Sequence, residues 1–243
     1  MELLYGRHAV LEALRAGRRR VHRVYLHQGG QRTGIIAEIV AMAQQRGCPV
    51  SEAPRQMLDR AGPVNHQGVA AEAAPYPYSG LDGILAATAQ GEPVLLVLDH
   101  LQDVQNLGTL LRTAEAMAVA GVVLPDRRAA DITPAVVNAS AGAVEHLPIA
   151  QVVNLVRGLE QIKAAGYWVV GLDESPEAVS LARADLTGRL ALVVGAEGPG
   201  LSRLVREHCD WLVRIPMHGK IGSLNAAVAG SVAVVAARQA RAN

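Results

Sequence analysis

"VLLVLDH", residues 94–100, decides the fold class. Five apolar residues in succession, closed by Asp99 and His100, suit a strand buried on both faces of a parallel sheet; a half-exposed antiparallel strand would alternate. A helix follows in "NLGTLLRTAEAMAVAG" (106–121), with Asn106 placed to cap it and Gly121 to end it, and then a second apolar strand, "VVLP" (122–125). The alternation continues to the end of the chain. Thr133 and Pro134 begin a helix as N-cap and N1, and Asn154 caps the helix "LVRGLEQIKAAG". Strands "YWVVGLD" and "LALVVG", a short helix "RLVREHC", the strand "WLVRIPM" and a final helix from Leu224 to Ala237 complete the set. This is the order of a parallel α/β domain.

Upstream, residues 1–73 alternate on a smaller scale. "GRHAVLEALRAG" reads as helix, "VHRVYLH" as strand, "TGIIAEIVAMAQQRG" as helix with Gly47 ending it, and "PVSEA" as strand. A short helix "PRQMLDRAG" and a strand "GVAAEA" close a small α/β sandwich. The stretch 74–92 is punctuated by Pro and Gly and has no apolar period, so it reads as a linker. The expected organisation is a domain over 1–73, a linker over 74–92 and a second domain over 93–243.

Half of the 243 residues are apolar, enough for a sizeable core, and no apolar run reaches the roughly 18 residues of a membrane span. The N-terminus lacks signal-peptide form, so the expectation is a soluble cytoplasmic protein with no membrane partner. Cys48 and Cys209 are isolated, with no His at zinc-ligand spacing, which argues against a disulfide framework or a metal site and for structural burial of both. Charge is uneven: residues 1–73 carry ten Arg against six acids, whereas the remainder is net acidic. "RAGRRRVHR" (15–23) concentrates the Arg side chains, whose planar forks suit phosphate, so Arg7, Arg18, Arg19, Arg20 and Arg23 are candidate RNA contacts. The same run also reads as a solvated helix end whose cations complement the dipole.

Three loops stand at the C-terminal ends of predicted strands, where open parallel sheets bind ligands: "DHLQDVQNLG", "GAEGPGLS" and "MHGKIGSLN". Each leads into a helix N-terminus with free backbone N–H groups. The glycines of "GAEGPG" match neither the dinucleotide GxGxxG nor a P-loop, which disfavours a nucleotide-dependent oxidoreductase or an NTPase. They permit close approach of a ligand to backbone, with Glu197 in a tight turn.

Together the three loops resemble the signature of the SpoU/TrmH family of ribose 2′-O-methyltransferases. The first motif is "QNLGTLLRTAEAMAVAGVVL" with Asn106, Gly108, Arg112, Ala114 and Gly121; the second is "VVGAEGPGLS" with Gly195, Glu197 and Gly200. The third is "IPMHGKIGSLNAAVA" with Ile215, Pro216, Met217, Ser223, Leu224 and Asn225. Within the family the chain looks closest to RlmB-type bacterial enzymes, which methylate a guanosine ribose in large-subunit ribosomal RNA. "LLYGRHAVLEAL" and "NHQGVAAE" match their L30e-like RNA-binding domain. The family's third motif usually continues Val-Ser after "SLN", where this chain has Ala226-Ala227, and an acidic residue often found later in that helix is Ala237 here.

The resemblance implies a fold: an L30e-like α/β domain followed by a parallel-sheet α/β domain tied in a deep trefoil knot and dimerised through its motif helices, which would cover the apolar final helix. It implies S-adenosylmethionine as donor, without a metal, held by Gly195, Ile215, Met217 and Leu224. It gives catalysis to Arg112, with Asn106, Glu197, Ser223 and Asn225 placing ribose and phosphate. A guanidinium does not normally surrender its proton, so Arg112 suits holding the target phosphate, with that oxygen or water taking the proton. A transfer RNA substrate, or a non-catalytic RNA-binding protein of the same fold, are the alternatives. Because the chain has no Phe and few aromatics, RNA recognition must rest mainly on Arg.

Overall fold

The computed structural model describes residues 1–62, 64–127 and 129–241. They form two compact units, one of residues 1–77 with 132–146 and the other of residues 78–131 with the chain from 147 onward.

The smaller unit is built on strands β1 (Glu2–Tyr5), β2 (Val21–His27), β3 (Val50–Ala53) and β4 (Val69–Ala73), in the order β1-β4-β2-β3. β4 runs antiparallel to both neighbours, while β2 and β3 are parallel. β1 is not foreseen from sequence: four residues directly before a helix carry no period of their own, and pairing with β4 makes them a strand. Helices α1 (Arg7–Ala16) and α2 (Ile35–Gln45) pack on each other, and a single turn α3 (Arg55–Leu58) precedes β4. Gly17 and Gly47 follow α1 and α2 with φ of 61° and 63°, the left-handed conformation that stops a helix. Leu4, Leu14, Ile39 and Leu58 lie fully inside.

Residues 132–146 complete this unit. Helix α6 (Pro134–Ala139) packs on β1, and the Asn138 amide donates to the Tyr5 carbonyl at 3.0 Å. The next turn brings Glu145 to Arg19. Arg19 was expected on the RNA-facing surface, but its side chain is buried in ion pairs with Glu145 and, at 2.7 Å, with Glu2, and it donates to the Ala74 carbonyl. Burial pushes the Glu145 carboxyl up, and Arg19 opposes that. Arg19 is therefore structural, because a guanidinium enclosed by two carboxylates has no fork left for phosphate. Arg18 is half-buried, donating to the Tyr76 hydroxyl at 2.9 Å; Arg20 and Arg23 stay exposed, Arg23 donating to Ser51 Oγ. Arg19→Ala, which strands Glu145 in a dry site, is expected to lower Tm by about 5 °C or more, whereas Arg20→Ala leaves it unchanged. Calorimetric melting checks both.

The larger unit is a seven-stranded sheet in the order β7-β6-β5-β10-β8-β11-β9, parallel throughout. Its strands are β5 (Val94–Leu98), β6 (Gly121–Pro125), β7 (Ile149–Val152), β8 (Trp168–Leu172), β9 (Val179–Ser180), β10 (Leu190–Val194) and β11 (Trp211–Arg214). The central β5, β6 and β10 are buried at every residue, as continuous apolar runs demand. Between them lie α5 (Val104–Ala116), α7 (Leu155–Ala164), α8 (Arg203–Glu207) and α9 (Ala226–Gln239). Residues 74–92 are more ordered than a linker: they contain α4 (Leu81–Ala87), whose Leu81 and Ile84 enter the core of this unit. Two large aliphatic side chains at i and i+3 supply enough apolar surface there to hold a helix that shows no period in sequence.

Local signals are met unevenly. Asn154 caps α7 by accepting from the Arg157 N–H at 3.1 Å, whereas α5 is capped by Asp103, which accepts from the Asn106 N–H at 2.8 Å. Asn106 therefore stands inside the first turn, and Gly121 opens β6 rather than ending the helix. Cys48 is buried; Cys209 is half-buried, and burial pushes its thiol up to about 12, far from any reactive thiolate. Among the described residues no helix is long and apolar enough to cross a membrane, and none of the His, Cys, Asp and Glu side chains cluster to hold a metal.

Candidate active site

Adjacent parallel strands bring the loops that leave their C-terminal ends to one place. In the larger unit β10, β8 and β11 are consecutive in the sheet, and the loops after them enclose a cleft of about 710 Å³. Its walls are 172–175 after β8, 194–200 after β10, and 213–217 with 222–226 between β11 and α9.

The loop after β10 owes its shape to glycine. Ala196 and Gly200 exchange two backbone hydrogen bonds of 3.0 Å, folding the loop back on itself. Gly198 and Gly200 adopt φ of 80° and 68°, and a Cβ on Gly195 would overlap the Gly200 carbonyl group and the Leu201 nitrogen. The fold-back sets Glu197 at its tip, exposed. From beneath, Asp99 fixes the loop's exit: fully buried after β5, it accepts from the Ser202 N–H at 2.6 Å and pairs with His100 Nδ1 at 2.5 Å.

Asn225 is the N-cap of α9, one residue before the helix rather than in its first turn, and its Oδ1 accepts from the N–H groups of Ala227 (3.0 Å) and Val228 (3.2 Å). With that oxygen engaged, the amide nitrogen faces outward and donates to Asn106 Oδ1 at 3.0 Å and to Glu197 Oε1. Three side chains far apart in the sequence thus meet beside the cleft. Packing of α9 on α5 sets the meeting: Gly230 lies where a Cβ would stand 2.9 Å from Leu110 Cδ1, and Ser231 Oγ bonds Thr113 Oγ1 at 2.9 Å.

Of the residues singled out from sequence, Gly195, Glu197, Ile215, Met217, Ser223, Leu224 and Asn225 all line this cleft. Asn106 joins through its bond to Asn225. Arg112 does not. It is exposed, forms no ion pair with Glu115, and has no hydrogen-bonding partner among the described residues; six residues beyond Asn106, it points about 120° away around α5. Sequence reading missed one of these walls, "LDES" at 172–175, although a carboxylate and hydroxyl just beyond an apolar strand are the signal that drew attention elsewhere. There Asp173 accepts from the Ser175 N–H at 2.8 Å, and the buried Ser175 Oγ has no partner among the described residues. A buried, unpaired hydroxyl in a cleft is a polar group waiting for a ligand.

A sequence profile of the SpoU rRNA Methylase family matches residues 93–235, and one described as RNA 2′-O ribose methyltransferase substrate binding matches residues 3–79. The chain is 40% identical over 233 residues to YacO of Bacillus subtilis (strain 168), assigned to the TrmH family of tRNA/rRNA methyltransferases, over 95% of this chain and 92% of that protein. The AdoMet complex of the SpoU methyltransferase AviRb from Streptomyces viridochromogenes is 25% identical, with a TM-score of 0.82 over 99% of this chain and 90% of its own. An AdoMet-bound rRNA methyltransferase from Sinorhizobium meliloti is 26% identical, with a TM-score of 0.80 over 98% and 87% of the two chains. With one profile spanning more than half of its residues and such identity to YacO across nearly all of them, the chain belongs to the SpoU rRNA methylase family.

Proposed function

We propose that this RNA methyltransferase transfers a methyl group from S-adenosylmethionine to a ribose 2′-hydroxyl, that of a guanosine in large-subunit ribosomal RNA. The observation that supports it most is the Asn225 amide joining Asn106 and Glu197 at the mouth of a glycine-walled cleft. The cleft suits the donor: about 710 Å³ falls within the ~300–1,000 Å³ of small-molecule sites, and its walls offer backbone, the unpaired Ser175 hydroxyl and the carboxylate of Asp173. Ile215, Met217 and Leu224 supply apolar contact for a purine, and Gly195 lets the ligand approach the main chain.

S-adenosylmethionine would supply an electrophilic methyl on its sulfonium. The chain's own part is placement and proton handling, since a 2′-hydroxyl attacks well only in line and as its proton leaves. Asn106 and Glu197, oriented by Asn225, hold the ribose at the cleft mouth with Ser223. Arg112 grips the target phosphate, whose oxygen or a bound water takes the proton. Incubation with ribosomal RNA and methyl-labelled donor, followed by mapping of alkali-resistant 2′-O-methyl positions, tests the reading; label on a base instead of a ribose would overturn it.

Gly195→Ala should weaken donor binding at least about tenfold without unfolding the sheet, because the added methyl meets the loop backbone at Gly200 and Leu201 rather than a neighbouring strand. Calorimetry with the donor checks this. We also infer a homodimer joined through the motif helices of a knotted domain: α9 leaves Val228 and Val232, four residues apart and so on one face, exposed at 46% and 40%. Light scattering at micromolar concentration should return twice the chain mass, and an active monomer would refute it.

A further inference from the structure

Between β11 and α9 the chain runs through ten consecutive exposed residues, 216–225. Their two ends belong to the cleft wall, Met217 on one side and Gly222, Ser223 and Leu224 on the other, while the tip, 218–221, does not line it. From Pro216 to Leu224 no backbone N–H or carbonyl has a hydrogen-bonding partner among the described residues. A segment so weakly held comes from the low-stability end of a fold, which is where lids are found.

Two features of the tip point to a second conformation. Gly219 and Gly222 have neither a left-handed φ nor any atom within 4 Å of where a Cβ would stand. In this conformation, then, neither sterics nor backbone geometry calls for glycine, although glycine loses more entropy on folding than alanine does. Freedom that one conformation leaves unused is freedom to reach another. Between the two glycines, Ile221 is 73% exposed, in a chain whose large aliphatic side chains mostly enter its cores. Met217 and Leu224, which flank the tip and line the cleft, are also open, at 38% and 36%. Tied to the cleft wall at both ends, four residues have a short reach, so the apolar surface open to Ile221 is that of the cleft and its occupant.

We propose that residues 218–221 form a lid hinged at Gly219 and Gly222, which folds over bound S-adenosylmethionine with Ile221 as its cover. This rests on the reading of the cleft as the donor site and adds a closing step to it. Because the lid stands open before binding, it leaves donor entry unhindered and acts on release.

Trypsin reads closure directly on the full chain, because Lys220 lies in the exposed tip. Saturating S-adenosylmethionine should slow the cut after Lys220 about tenfold or more, and leave unchanged the cut after Arg32, in an exposed loop of the smaller unit. Ile221→Ser should speed donor release about tenfold with the association rate unchanged, and Tm should hold because the side chain is exposed. Gly219→Ala with Gly222→Ala places methyls in open space, so Tm should hold or rise while the protection of Lys220 by the donor falls severalfold. A cut after Lys220 that the donor does not slow, or parental release from Ile221→Ser, would overturn the lid. Protection that grows with protein concentration in the absence of donor would assign the cover to a second copy and overturn it as well. Mapping of methylated positions on the same preparations keeps the two readings apart. A parent that binds the donor and protects Lys220 yet labels no ribose defeats the proposed function alone. One that methylates ribose while the donor leaves Lys220 open to trypsin defeats the lid alone.

Discussion

Arg112→Ala lowers the single-turnover rate of methyl transfer by roughly a hundredfold or more, the scale of a lost acid–base or charge-stabilising group, while donor affinity stays within about twofold. The split follows from where the side chain stands. Arg112 is exposed on α5 and absent from the cleft proposed for the donor, so S-adenosylmethionine binding there should not sense its removal. Its fork has no partner among the described residues and is available to an incoming phosphate. It stands on α5, the helix against which α9 packs, and the proposed pairing with a second copy would bring it toward the reacting ribose. Arg112→Lys keeps the charge but loses the planar fork, and should recover little if phosphate geometry matters. Calorimetry with the donor and single-turnover kinetics at saturating RNA measure the two quantities separately. Near-parental turnover in Arg112→Ala would remove it from the mechanism.

The sequence shows the larger unit better than the smaller. β5, β6 and β10 are unbroken apolar runs because both of their faces are covered, and such runs read directly. β1 and α4 do not, since four and seven residues are too short to express a period and owe their form to partners far along the chain. Arg19 shows the limit for charge. Within "RAGRRRVHR" its side chain looks equivalent to Arg18 and Arg20, and what separates it is Glu145, 126 residues away. The membership of residues 132–146 in the smaller unit is equally non-local, for the chain enters and leaves that unit without a composition shift to mark it. At the candidate site the motif residues could be named from their resemblance, but not their wiring: that Asn225 caps a helix with its oxygen and reaches two loops with its nitrogen is set by the crossing of α9 over α5.

That wiring makes Asn225 the position where two substitutions should diverge from each other and from Arg112. Asn225→Ala removes the cap of α9 and the bridge to Asn106 and Glu197 together. A lost Asn cap costs about 1 kcal/mol, a few degrees in Tm. The larger effect is on function: Leu224 and Ala226, on either side of Asn225, line the cleft proposed for the donor, so donor affinity should fall about tenfold and the transfer rate roughly a hundredfold, moving together where Arg112→Ala separates them. Asn225→Asp is the sharper probe. It retains an oxygen for the Ala227 and Val228 N–H groups, and a carboxylate at a helix N-terminus is favourable, so Tm should hold or rise slightly. In place of the donor that joined Asn106 and Glu197, however, it sets a second negative charge against Glu197. Two neighbouring carboxylates resist joint ionisation, so the variant should recover part of its activity as pH falls and one of the pair takes a proton, the reverse of what easier loss of the hydroxyl proton would give. Melting curves and transfer rates between mildly acidic and neutral pH decide the matter: an Asn225→Asp enzyme that transfers methyl at the parental rate at neutral pH would show that the bridge to Glu197 has no part in placing the ribose.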